Sequence, residues 1–268
     1  MRARAGAIFG AVSAAGIGWG WFEAGWVRLR RLELPVAGIA DELRIVHLSD
    51  FHLGIPSRGS HAVERAIEWT KERDPDLVCI TGDLVSRPRG EAVLRELLHE
   101  LPHAHAVLGN HDVAYSRDPF SRSAGLTELE PARLLVDEAA TLDVRGMRVQ
   151  IVGVDPRTYR TREAQPWRLA DQSADVRVLL CHFPQIFAKL PPGSFDLVLA
   201  GHMHDGQISV PLPRGKLRLA HVDAPFTTGM YERDGMRMHV SPGLGTTFVP
   251  FRFFARPEAT ELVLQRAT

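Results

Sequence analysis

Five short apolar runs in this chain end in residues that bind metals or move protons. Leu43–Leu48 leads into Ser49-Asp50-Phe51-His52, and Leu77–Ile80 into Thr81-Gly82-Asp83. Ala104–Leu108 leads into Gly109-Asn110-His111-Asp112, Val176–Cys181 into His182, and Leu197–Ala200 into Gly201-His202-Met203-His204. A hydrophobic core gives no reason to place carboxylates and imidazoles there, because burying them unpaired is costly. Carboxylate, imidazole and amide oxygen together suit Mn, Fe or Zn better than Ca or a thiolate zinc site. Asp50 and His52, two positions apart on an extended strand end, can turn toward one ion. Asp83 can bridge two ions with its two oxygens, and Asn110 offers a neutral carbonyl oxygen. Two ions about 4 Å apart stabilise both the attacking and the leaving oxygen of a phosphoryl displacement. Glycines 82, 109 and 201 precede these groups, where a tight turn or close backbone approach is needed.

To converge, these groups need a sheet. Leu43–Leu48, Leu77–Thr81 and Ala104–Leu108 read as buried strands, separated by helical spacing over His61–Arg73 and Glu91–Leu101. A helix is expected over about Leu129–Asp137. Strands follow at Leu142–Val144, Val149–Val154, Val176–Cys181, Leu197–Ala200, Leu217–Ala220, Met236–Val240 and Thr260–Leu264. Gly146 marks a hairpin turn between the first two of these. Strands alternating with helices predict an α/β fold with largely parallel pairing, whose strand carboxyl ends form the ligand crevice. Turn-rich segments 113–126, 155–173 and 205–235 are where substrate loops are expected. Residues 32–41 read as a linker, and no further linker divides the chain, so residues 42–268 read as one domain.

The chain has 268 residues, 45% hydrophobic and 24% charged, which is ordinary globular usage and excludes a disordered, collagen-like or polytopic membrane chain. Lys+Arg and Asp+Glu both number 32, so no general electrostatic grip on nucleic acid is expected. Cys79 and Cys181 sit in apolar runs and read as buried free thiols, too few for a disulfide framework. Residues 1–31 read as an N-terminal membrane anchor or signal-like segment. Ala5–Phe22 carries no charge, Trp19, Trp21, Phe22 and Trp26 cluster at its end, and Arg28, Arg30 and Arg31 follow. A cleaved signal peptide and a helix packed on the domain are the alternatives.

The ordered set Asp50-Phe51-His52, Gly82-Asp83, Gly109-Asn110-His111-Asp112, His182 and Gly201-His202-Met203-His204 resembles the calcineurin-like metallophosphoesterase family over residues 43–245. Each piece alone is weak; the order is specific. The resemblance implies a four-layer α/β/β/α sandwich, preceded here by an N-terminal hydrophobic helix. It also implies two divalent metal ions, Mn foremost with Fe or Zn as alternatives. Asp50, His52, Asp83 and His204 would hold one ion, and Asp83, Asn110, His182 and His202 the other. His111 would protonate the leaving oxygen or stabilise the transition state, with Asp112 orienting it, and metal-activated water would be the nucleophile.

Finer details resemble a branch of bacterial membrane-associated phosphodiesterases. They are Gly201-His-Met-His-Asp-Gly-Gln-Ile, Ser241-Pro-Gly-Leu-Gly and Phe251-Arg-Phe-Phe-Ala-Arg-Pro-Glu. That branch includes enzymes cleaving the pyrophosphate of UDP-2,3-diacylglucosamine in lipid A synthesis. Asp205 departs from it, standing where the branch usually has glycine. The implied protein is a hydrolase of phosphodiester or pyrophosphate bonds at the bacterial inner membrane, on either face, acting on a phosphorylated, lipid-linked substrate. An envelope phosphoesterase with a soluble substrate and a non-catalytic binding module of the same fold are the rivals; a nuclease is disfavoured by the zero net charge. Outside the motifs, His47, His61, His99, His103, His105, His221 and His239 read as structural or surface residues. Arg87, Arg89, Arg117 and Arg122 read as solvated unless a phosphate reaches them. Phe248, Phe251, Phe253 and Phe254 read as closing the core, with contact to acyl chains as the alternative.

Overall fold

The computed structural model describes residues 2–36, 38–220 and 222–266, without the side chains of residues 2–9, 11 and 12. His221 therefore lies outside the described residues. In chain order the elements are α1 (Arg2–Ala24), β1 (Arg28–Val36), β2 (Leu43–Leu48), α2 (Gly59–Arg73), β3 (Leu77–Thr81), α3 (Glu91–Leu98), β4 (Ala104–Val107), β5 (Arg133–Leu134) and β6 (Ala139–Val144). They continue with β7 (Met147–Gly153), α4 (Pro156–Thr161), β8 (Val176–Leu180), β9 (Leu197–Ala200), β10 (Ser209–Leu212), β11 (Gly215–Arg218), β12 (Gly229–Arg233), β13 (Met236–Val240) and β14 (Glu258–Arg266).

Two six-stranded sheets form, in the orders β1-β14-β2-β3-β4-β5 and β12-β13-β9-β8-β7-β6, with β10-β11 as a separate hairpin. Pairing is parallel from β2 to β5 and from β7 through β8 and β9 to β13. Strands covered on both faces must be apolar on both, and β3 is buried at every position, while β2 is buried at all but one.

Three apolar cores hold the sheets. Between them, Ile45, Leu77, Cys79 and Val107 meet Ile151, Val178, Leu180 and Leu199. On the outer face of the first sheet, Val63 and Ile67 of α2 and Leu94 and Leu98 of α3 pack on Val46, Leu48, Val78 and Ile80. Each such fully buried side chain contributes about 2 kcal/mol. The outer face of the second sheet is covered by the 3-10 turn Pro184–Lys189 and by Phe195 and Met203, not by long helices. The architecture is a mixed α/β fold whose last layer consists of turns. Helix α2 stops where Asp74 turns left-handed, its N–H bonding the Thr70 and Lys71 carbonyls, and Pro75 cannot continue it.

The structure departs from the sequence reading in several elements: strands β10 and β12 form inside the expected loop segment 205–235, and two further departures have a plain physical cause. The expected linker over 32–41 is largely strand: β1 lies parallel to β14, with Leu34 and Val36 buried. The alternation Leu32, Leu34, Val36 carried that signal, masked by the charges before it. No helix forms over 129–137, where Pro131 removes a donor and disfavours helix at the residue before it. Leu129, Ala132 and Leu135 are buried as an irregular segment around β5.

Among the described residues no helix is long and apolar enough to cross a membrane. The C-terminal end of α1 packs against the 251–255 loop. Trp21 lies 6.4 Å from Phe251, ring to ring, Arg252 N–H bonds Gly20 O at 3.0 Å, and Ala255 N–H bonds Glu23 Oε1 at 2.7 Å. Phe251 and Phe253 are thus half-buried near α1, and Phe248 and Phe254 are exposed. The phenylalanines expected to close the core do not.

Candidate metal centre

The loops after β2, β3, β4, β8 and β9 meet at one end of the two sheets, stitched to one another by backbone bonds. Asp50 N–H bonds Gly82 O and His52 N–H bonds Asp83 O, both at 2.9 Å, and Gly201 N–H bonds His182 O at 3.1 Å. Two glycines make this approach possible. A Cβ on Gly109 would collide with the Asp83 carboxylate, and one on Gly201 with Ser49 and Asp50. Asp50, His52, Asp83, His202 and His204 all hold φ between 48° and 72°, a left-handed conformation that costs a non-glycine residue about 1 kcal/mol or more. The surrounding packing imposes these angles, and they aim the side chains inward.

Donor atoms of Asp50, His52 and His204 lie within 4.8 Å of one another, as do those of Asp83, His182 and His202. A third set, His52, Asp83 and His111, joins the two. His204 Nε2 is 3.3 Å from Asp50 Oδ1 and 3.0 Å from His52 Nε2. His182 Nε2 is 3.2 Å from Asp83 Oδ2, 3.1 Å from Asn110 Oδ1 and 3.1 Å from His202 Nδ1. All seven candidate ligands named from sequence are therefore brought together, with Asp83 between the two groups.

The far side of two rings is fixed too. His182 Nδ1–H donates to Thr81 O at 2.7 Å, which turns its Nε2 inward, and His52 Nδ1 meets Ser86 Oγ at 2.7 Å. Burial works against every charge here. At Asp50 the imidazoles of His204 and His182 overcome it and hold the carboxyl below its ordinary value; at Asp83, His182 and His111 do the same. Burial opposes charge on His182 as well, but Asp83 and Asp50 raise its pKa to about 9. Burial keeps His52 well below its ordinary value, and His204 below it. Imidazole nitrogens turned inward around two ionised carboxylates suit a divalent cation, which would displace the His182 Nε2 proton on binding, so the residues fit the metal that the motif implies.

His111 is held by Ser121 Oγ on Nδ1 at 2.8 Å and by Ser116 Oγ on Nε2 at 2.9 Å. Asp112 does not orient it. Asp112 Oδ1 accepts from Leu84 and Val85 N–H, and Oδ2 from Gly109 N–H, at 2.8–3.1 Å. Its carboxylate ties the β3 loop to the β4 loop instead; burial and the Asp83 charge raise its pKa to about 7.

The calcineurin-like phosphoesterase family profile matches residues 43–206, a span that holds every donor described above. The chain belongs to the calcineurin-like phosphoesterase family. Metallophosphoesterase YkoQ of Bacillus subtilis (strain 168), itself uncharacterized, is 29% identical over 82% of each chain. A Danio rerio transmembrane protein with a metallophosphoesterase domain is 30% identical over 88% of this chain, which spans 57% of that protein. Phosphodiesterase YaeI of Escherichia coli (strain K12) is 26% identical over 95% of each.

Three features of this metallophosphoesterase escaped the sequence reading. First, His47 and His239 are not isolated. Thr81 Oγ1–H donates to Ser49 Oγ and Ser49 Oγ–H to Asp50 Oδ2, so His47 Nε2–H must donate to Thr81, and His239 Nδ1–H to His47 Nδ1 at 2.8 Å. His239 Nε2 is left buried without a hydrogen bond. Second, Arg252, fully buried, donates to the carbonyls of Pro242, Gly243, Gly245 and Ala255 and lies 3.1 Å from His204 Nδ1. Third, a cavity of about 850 Å³ opens on Asp83, His111 and His204, and Arg117, Arg160, Arg162 and Lys189 line it. Among the described residues none of these cations has a carboxylate partner. Of the arginines singled out from sequence, only Arg117 reaches the cavity. Arg87, Arg89 and Arg122 bond the backbone carbonyls of Phe120, Gly54 and Pro119 instead.

Proposed function

We propose that the chain is a dinuclear metal-dependent hydrolase of a phosphodiester or pyrophosphate bond in a lipid-linked substrate at a membrane surface. Asp50, His52, Asp83 and His204 hold one ion, and Asp83, Asn110, His182 and His202 the other, with Mn foremost and Fe or Zn as alternatives. The observation that carries this reading is the position of Asp83, whose Oδ2 lies 3.2 Å from His182 Nε2 and 3.7 Å from His52 Nε2 and so faces both donor groups where the cavity opens. When bound, the ions supply Lewis-acid activation of water and neutralise phosphoryl charge. His111, near enough to Asp83 that their Nε2 and Oδ2 lie 3.9 Å apart, supplies a proton to the leaving oxygen. The unpaired cations of the cavity bind the substrate's remaining negative charge.

Support for a lipid-linked substrate comes from the apolar part of the cavity lining, Ile208, Leu219, Ala220, Phe248 and Val249. UDP-2,3-diacylglucosamine has both halves that such a cavity accepts. The test uses the full chain reconstituted with Mn²⁺, offered bis-p-nitrophenyl phosphate and UDP-2,3-diacylglucosamine in detergent. Metal-dependent release of UMP in preference to nitrophenol is expected. Turnover of the generic diester alone removes the lipid substrate and keeps the chemistry. No turnover of either with both ions bound leaves a binding module.

A further inference from the structure

The β10–β11 hairpin is turned inside out relative to a ribbon packed on a soluble domain. Val210 stands opposite Leu217 in the register, and Leu212 and Leu219 lie two positions along on the same face. The other face carries Ser209, Lys216 and Arg218. A ribbon of this pattern ordinarily buries its apolar side. Here the polar side is the one held. Lys216 Nζ and Arg218 Nε bond the two oxygens of buried Asp205 at 2.7 and 2.8 Å, and Ser209 Oγ–H bonds Asp205 O at 2.8 Å. The apolar side faces out, with Val210, Leu212, Leu217 and Leu219 between 41% and 57% exposed. A lone two-stranded hairpin is marginal in water, and the Asp205 clamp is what fixes it. Asp205 follows His204 directly, which gives a role to the residue that departs from the glycine of the resembling branch.

This apolar face reaches the cavity, and the polar face behind it ties the hairpin to the 251–255 loop. Leu219 also lines the cavity, beside Phe248 and Val249. On the other side Ser209 N–H bonds Phe253 O and Lys216 Nζ bonds Phe254 O, joining the hairpin to the loop that packs on α1. There Trp19, Trp21, Phe22 and Trp26 are between 41% and 44% exposed. The charge at the tip of the hairpin is positive. Arg214 at the hairpin turn has no carboxylate partner among the described residues, nor do Arg117, Arg160, Arg162 and Lys189 in the cavity.

We propose that the outward face of the β10–β11 hairpin is a docking surface for an anionic lipid bilayer, clamped beside the metal centre by Asp205, so that the cavity opens at the level of lipid headgroups. Apolar side chains with a cation at the tip and aromatic rings alongside match the layered chemistry of a bilayer interface. The proposal rests on the reading of the cavity as taking a lipid-linked phosphoester, but its test is read without hydrolysis.

The experiment uses the full chain with Leu217→Cys carrying a polarity-sensitive fluorophore. Cys79 and Cys181 are buried, and burial pushes their thiols up to about 12, so the label reports position 217. Phosphatidylcholine vesicles with phosphatidylglycerol should shift the label to an apolar signal, and vesicles without it should do so less. Leu212→Ser with Leu217→Ser should weaken vesicle partition by about tenfold per leucine. Both positions are exposed, and hydrolysis of soluble bis-p-nitrophenyl phosphate should not change. An unshifted label on vesicle-bound protein overturns the proposal, since α1 alone would then dock. A label shift that depends on protein concentration and needs no vesicles also overturns it, since a second copy would then cover the face. Loss of diester hydrolysis with a normal label shift would instead count against the proposed reaction and leave the docking surface standing.

Discussion

On the sheet side of the cavity, each candidate ligand sits within a few residues of the end of a buried strand, and the loops that carry them are bonded to one another. Elsewhere in its lining, Arg117, Arg160, Arg162 and Lys189 stand in loops, the short helix α4 and a 3-10 turn, and two of them lie against aromatic rings. Arg160 lies 4.8 Å from the Tyr115 ring and Lys189 5.3 Å from the Tyr159 ring. The difference follows from tolerance. Metal coordination fails when a donor moves by about half an ångström, so it needs elements that cannot move. Recognition of charge over several ångströms accepts mobile groups, and loops can change without disturbing the sheets.

Several variants can break or sharpen this contrast. The largest effect is expected from Asp83→Ala, which removes the carboxylate that stands between the two donor groups. Metal analysis should find both ions lost, and diester hydrolysis should fall by about a thousandfold or more. A variant that keeps both ions and its rate removes the shared-ligand reading. Next, His111→Ala should keep both ions while the rate drops by about a hundredfold or more; lost metal would make His111 a ligand.

Acid should weaken the sheet side selectively. Burial lowers the pKa of His239 to about 3, so the unfolded chain takes up that proton first. The contribution of His239 to stability is then full above about pH 6.5 and declines by about 1.4 kcal/mol per pH unit as pH falls toward 3. His239→Gln, which can still donate to His47, should show a correspondingly shallower decline in urea unfolding between pH 7 and pH 5. Equal slopes for the two proteins would show that His239 is not buried neutral. The smallest effect belongs to the cavity cations. Arg160→Ala or Lys189→Ala should raise KM about five- to tenfold for a substrate with a second anionic group and leave kcat nearly unchanged. A fall in kcat at constant KM would move these cations into the reaction itself.

The same contrast explains what was legible in the sequence. Asp50, His52, Asp83, Asn110, His182, His202 and His204 were readable because a buried parallel strand is an uninterrupted apolar run, and whatever follows it is marked by position. Lys189, Arg160 and Arg162 had no such marker; charged residues in turn-rich segments look alike whether they face solvent or a cavity. Asp112 was assigned by adjacency to His111, yet side chains of neighbouring residues point different ways, and its bonds run to Leu84, Val85 and Gly109. Strand β1 was hidden because its apolar alternation is short: Arg28 and Arg30 precede Leu32, Leu34 and Val36 on the same face, and Arg31 and Glu33 lie on the other. The outward hairpin face was legible as alternation but not in direction, which depends on the ion pairs of Asp205.

Arg252 gives the N-terminal helix a hold on the opposite end of the chain. Its backbone N–H is bonded to Gly20 and its guanidinium lies against His204, while Glu23 holds Ala255 N–H and Trp19 Nε1–H. A protease cutting after Ala15 would spare this joint. One cutting after Ala24 would remove Gly20 and Glu23 together and loosen the seat of a candidate ligand from outside the family-matched span. Shortening the chain from its front would thus act on the site as a threshold, silent until the last turn of α1 is gone and abrupt from there on.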